Sequence, residues 1–164
     1  TVLLATGTNF PDALSAGPAA SKAGGVVLLT AGNQLPPETS AYLAAHTGAV
    51  YAVGGPAVSA DAKATPIVGP DRYATAVAVA QKFFSGPATI GIATGTNFPD
   101  ALAGGAMVAA AGGPLLLSDP SVLAPGTGSY LASVQSTVTG AYLFGAANAL
   151  ADSVGAAVGT ALGQ

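Results

Sequence analysis

The sequence predicts an α/β fold made of two tandem repeats, each a parallel sheet flanked by helices in α/β/α layers. Three observations predict it. The decapeptide ATGTNFPDAL fills residues 5–14 and returns unchanged at 93–102. Short apolar runs alternate with stretches of helical length, the pattern of parallel strands buried on both faces. Hydrophobic residues make up 51% of the 164 positions and charged residues only 7%, far below the roughly 25% of an average domain, so a large core is available.

The repeat extends beyond the decapeptide. At the same spacing Gly24-Gly25 aligns with Gly112-Gly113, residues 27–30 (VLLT) with 115–118 (LLLS), and Tyr42-Leu43-Ala44 with Tyr130-Leu131-Ala132. Three further residues, placed in a loop within 133–141, then bring Tyr51 onto Tyr142, Gly54 onto Gly145 and Asp61 onto Asp152. These are two copies of one supersecondary unit.

The elements follow in order. Residues 2–5 (VLLA) form a strand stopped by Gly7. A helix runs from about Phe10 to Ala23, with Asn9 as its cap, Pro11 in its first turn and Gly24-Gly25 as its stop. Then come a strand at 26–30, a helix at 37–45, a strand at 50–53, a short helix at 59–64 and a brief strand at Ile67-Val68. Asp71 caps a helix whose apolar stripe is Tyr73, Val77, Ala80 and Phe84, at 3.6-residue spacing. A strand at 89–93 restarts the cycle, with further strands near 114–117 and 141–144 and a last helix at about 149–162. Strands alternating with helices imply parallel sheets and right-handed crossovers.

Composition removes several classes of function. Net charge is −3 and the only bases are Lys22, Lys63, Arg72 and Lys82, too few for a phosphate-tracking groove, so nucleic acid is not a partner. Without cysteine there is no disulfide, thiol chemistry or thiolate-held zinc. The best candidate for a membrane span, the uncharged run 101–117, carries four glycines and a proline and lacks basic anchors, so no span is expected. His46 is the single histidine and has no counterpart in the second copy, which argues against acid–base catalysis. No phosphate-loop, nucleophile-elbow or metal-ligand motif is present; no catalytic residue, metal or cofactor is expected.

The repeated Thr-Gly-Thr-Asn-Phe-Pro-Asp turn is the candidate site. It joins the carboxyl end of a strand to a helix N-terminus, the edge where open α/β sheets hold ligands and where free N–H groups face outward. Thr8, Asn9 and Asp12, with Thr96, Asn97 and Asp100 in the second copy, offer hydrogen bonds to hydroxyl-rich or phosphorylated ligands. Each also has a local use: Asn as a cap, Asp as a complement to the helix dipole. Arg72, in a chain so poor in charge, is either an internal tie or a contact for an anionic ligand.

Residues 69–76 (GPDRYATA), the ATGTNFPDALA segment, the Gly-Gly turn and the LLLS strand together resemble the cell-wall-binding repeat 2 family of Gram-positive surface and surface-layer proteins. The resemblance covers essentially the whole chain. It implies modules that open on the DRYxTA helix, so 69–164 is read as a complete second repeat and 1–68 as a first repeat lacking that helix. It also implies a non-catalytic, extracellular module that anchors a surface or secreted protein noncovalently to an anionic cell-wall polymer or peptidoglycan-associated glycan. Three copies usually pack together, so self-association or packing with further repeats is expected. Asp71, Arg72, Tyr73, Thr75 and the two NFPDA turns are the positions the family pattern singles out. An α/β enzyme domain for a nucleotide or sugar, and a purely structural surface-layer oligomerisation module, are the alternatives. With no opening helix before Thr1, the strand at 2–5 needs a cover. The C-terminal helix, through Leu150, Val154, Val158 and Leu162, is one candidate, and a neighbouring chain is the expected one.

Overall fold

The structure, a computed structural model, describes residues 1–164. The first repeat contains β1 (Val2–Thr6), α1 (Pro11–Lys22), β2 (Val26–Thr30), α2 (Pro37–Ala45), β3 (Val50–Val53), α3 (Gly55–Ala60) and β4 (Thr65–Ile67). The second runs through α4 (Arg72–Phe83), β5 (Thr89–Thr94), α5 (Pro99–Ala110), β6 (Leu115–Ser118), α6 (Pro125–Val134), β7 (Gly140–Phe144) and α7 (Asp152–Ala161). Two separate parallel sheets result, ordered β2-β1-β3-β4 and β6-β5-β7. In each the first strand of the repeat is central, flanked in matching register by the second and third.

The Gly-Gly turns set this geometry. Gly24 and Gly112 leave the helix at φ +58° and +73°, where a side chain is strained. A Cβ on the next glycine, Gly25 or Gly113, would overlap the backbone of Thr1 or Thr89. The pair thus reverses the chain and lets it enter the sheet beside the start of the central strand.

Each sheet is covered on both faces. In the first, Leu3, Val53 and Ile67 pack against α1 and α4, while Val2, Leu4 and Ala52 pack against Ala57 and Ala64. In the second, Ile90, Ile92 and Leu116 meet α6 and α7, while Ala93, Leu115 and Leu117 meet α5 and Leu14 of α1. The two repeats are therefore one packed body, joined where α1 and α5 touch and where α4 lies between them.

Four sequence expectations are corrected. The short helix expected at 59–64 lies at Gly55–Ala60, because Pro56 starts it and the chain turns extended at Asp61. Its counterpart in the second repeat, 146–151, is a turn, and the last helix starts only at Asp152. Asn9 does not cap α1: the cap position is Phe10, already in helical backbone and without a side-chain bond, and Pro11 at the first turn leaves one fewer N–H to satisfy.

The fourth correction is the cover of β1. Neither α7 nor a neighbouring chain provides it. Val154 and Val158 of α7 are spent on the second sheet, whereas Val79 of α4 and the adjoining Phe84 pack onto Leu3 and Val53 of the first. Helix α4 accordingly has no single stripe. Ala76 faces Ala93 and Leu115, Ala80 faces Ile90 and Ile92, and Val79 faces the first repeat.

Candidate functional site

The carboxyl ends of β1, β3 and β4 and the start of α4 enclose an open pocket of about 300 Å³. Its chemistry comes from Asn9, Asp12, Asp71 and Arg72, and its floor from Gly54 and Gly55. Local structure brings these together. Pro11 starts α1 so that Asp12 lies in its first turn, pointing toward the end of β3. Gly54 leaves β3 at φ +84°, and a Cβ there would overlap the Asp12 carboxylate. Asp71 caps α4, its Oδ1 accepting the Ala74 N–H at 2.8 Å. The Gly69 N–H, on the segment between β4 and α4, donates to Thr75 Oγ1 at 3.1 Å, and a Cβ on Gly69 would strike Ala74.

Arg72 reaches across the boundary between the repeats. Its guanidinium donates to the carbonyl of Gly95, in the second copy of the repeated turn. Tyr73 closes over the same glycine, where a Cβ would lie 2.6 Å from its ring. The expected internal tie is thus to a carbonyl of the other repeat rather than to a carboxylate. Burial pushes the Asp12 carboxyl above the usual carboxylate range, against a smaller opposing pull from the positive charge of Arg72. Burial also raises the Tyr73 hydroxyl, helped by the negative charge of Asp119.

Of the residues singled out from sequence, the structure gathers Asn9, Pro11, Asp12, Asp71, Arg72 and Thr75 in this pocket. The others stand elsewhere. Thr8 and Thr96 bond the hydroxyls of Thr6 and Thr94, each at 2.9 Å. Asn97 accepts the N–H of Phe98 at 3.0 Å. Asp100 lines a second, shallower hollow with Gly104, Leu143, Phe144 and Gly145. That hollow is the repeat equivalent of the first pocket without the wall that residues 68–75 supply. Gly54, Gly55 and Gly69 complete the first pocket; from sequence the two glycines after β3 read only as a turn. His46 is remote, stacked on Tyr42 at 3.8 Å with Nδ1 2.8 Å from the Tyr42 carbonyl.

The repeats form a parallel α/β duplicate with a polar pocket at its seam, and no helix is long and apolar enough to cross a membrane. The chain belongs to the cell wall binding domain 2 (CWB2) family, whose sequence model matches residues 2–63 and 67–155. No curated protein matches the chain significantly. Among solved structures it is similar to Cwp6 from Clostridium difficile, with TM-score 0.83 and 23% identity over 97% of this chain and 27% of that one. It is also similar to Cwp8 from Clostridium difficile, with TM-score 0.81 and 19% identity over 99% of this chain and 29% of that one. At these identities the likeness is one of fold, and the chain spans less than a third of either protein. As a CWB2 member it is a cell-wall-binding tandem-repeat module of a surface protein, placed at the cell wall or surface.

Proposed function

We propose that this chain is a non-catalytic, extracellular anchor that holds a larger surface or secreted protein noncovalently on an envelope polymer. The seam pocket is proposed as its contact, with Asn9, Asp12, Asp71 and Arg72 as the ligand-binding groups. The observation that carries this reading is that one pocket draws all four from two distant segments of a cell-wall-binding domain. Sedimentation with purified Gram-positive walls tests it: the protein should pellet with intact walls and stay in solution once secondary polymers have been extracted. Equal pelleting with extracted walls would overturn it.

We further propose that residues 1–68 and 69–164 are the units of repetition and that they pack with further repeats. The packing between them is head-to-tail. Leu14 of α1 is 9% exposed, turned toward α5, whereas its equivalent Leu102 is 61% exposed. Conversely a Cβ on Gly105 would lie 3.9 Å from Pro18, while its equivalent Gly17 has nothing within 4 Å. A heterologous contact of this kind leaves one unused face at each end, and closes only by adding equivalent units. The second hollow lacks the wall that a following repeat's opening segment supplies in the first, which supports the same reading.

A further inference from the structure

We propose that the seam pocket takes the hydroxyl groups of an uncharged sugar unit of the wall polymer and keeps the polymer's anionic groups outside. The inference rests on the anchoring reading above and concerns what that contact recognises.

Charge is the first argument. The pocket holds two carboxylates, Asp12 and Asp71, and one guanidinium, Arg72, so a phosphate or carboxylate entering it meets a net negative surface. Arg72 is already engaged with the Gly95 carbonyl, which leaves only part of its fork for a ligand. The other three bases, Lys22, Lys63 and Lys82, do not line the pocket, and no cationic track leads into it.

Hydrogen-bond supply is the second. Asp71 spends Oδ1 on the Ala74 N–H and keeps Oδ2. No protein donor reaches the Asp12 carboxylate, which is half-buried against Gly54. Asn9 presents a carboxamide that bonds no protein group, and the remaining Arg72 N–H groups donate. A ligand matching this set must donate to two carboxylates and accept from an amide and a guanidinium at once. Sugar hydroxyls do both, whereas a phosphodiester only accepts. Pro11, Val68 and Pro70 add small apolar surfaces for the C–H face of a ring, and about 300 Å³ is at the small end of ligand pockets, suited to one ring rather than a long segment.

The sign of a charge removal decides it. Binding of purified wall polysaccharide, and of neutral fragments of it stripped of their anionic groups, is measured by titration calorimetry. Neutral fragments should bind, and millimolar inorganic phosphate should not displace them. Asp12→Asn should weaken binding about fivefold or more, since one of the two carboxylate acceptors for ligand hydroxyls becomes an N–H donor. Tighter binding by Asp12→Asn, or binding confined to phosphorylated material, would overturn the proposal. In each of those cases wild-type binding to walls still stands. Absence of any wild-type binding to intact walls would instead remove the anchoring reading, and this one with it.

Discussion

Gly54 keeps the seam pocket open by having no side chain. Its backbone, at φ +84° and ψ 155°, lies in a region nearly confined to glycine, and the space a Cβ would need is filled by the Asp12 carboxylate. That carboxylate is titratable, and its environment makes a prediction. Because burial raises its pKa, the folded protein keeps the Asp12 proton to higher pH than the unfolded chain does. Stability from this group therefore falls as pH rises from the ordinary carboxylate value through the raised one, and stays lost at neutral pH. Asp12→Asn should melt higher than wild type at pH 7, with the difference closing as pH approaches about 4. Thermal melts across that range check it; a wild type more stable than the variant at pH 7 would contradict it. At this scale the sequence was partly legible. Asn9 and Asp12 stood out because their turn is repeated at the carboxyl end of a strand, Arg72 because charge is scarce in this chain, and Asp71 because it belongs to the family pattern. Gly54 did not, because its glycine pair has a complete local explanation as a turn and its true neighbour lies 42 positions away.

Helix α4 is the element that the pattern read least well. Its apolar positions suggested one stripe, but alanines at 74, 76, 78 and 80 make it thin enough for three surfaces to approach. Val79 and Phe84 then serve the first sheet, where Phe84 is 5% exposed. Phe84→Ala should cost about 3 kcal/mol and lower the melting of both repeats in a single transition. Separate transitions in calorimetry, or a loss under about 1 kcal/mol, would show that α4 does not weld the repeats. Strands and most helices were legible because local periodicity decides them. The cover of β1 was not, since it depends on which of two sheets a helix meets. Inside the repeat, volume is exchanged rather than conserved by position. Leu3, Ala16 and Val53 in the first copy become Gly91, Gly104 and Phe144 in the second, and the Phe144 ring occupies the space of both missing side chains. Gly104→Ala should therefore be destabilising by about 1–3 kcal/mol, and Phe144→Val should recover part of that loss in the double variant. Additive losses in denaturant titrations would contradict this exchange.

Across the whole molecule the two repeats pack head-to-tail, with one face used and its equivalent left exposed. Leu14→Ala should cost about 2 kcal/mol or more, and Leu102→Ala should stay within about 0.5 kcal/mol in this two-repeat chain. Equal costs in denaturant titrations would mean that the packing is not head-to-tail. The duplicate itself was plain in the sequence, since a repeated decapeptide needs no structure to be seen. That only one copy has a walled pocket was not, because the wall comes from the segment joining the repeats. The same asymmetry lets binding of wall polymer at the seam pocket be tested directly. Asn9 lines it with a carboxamide that bonds no protein group, whereas its equivalent Asn97 lies outside both hollows and bonds Phe98. In binding titrations with purified wall polysaccharide, Asn9→Ala should weaken affinity about fivefold and Asn97→Ala should leave it unchanged. Equal losses in both variants, or no loss from Asn9→Ala, would contradict a binding site at the seam.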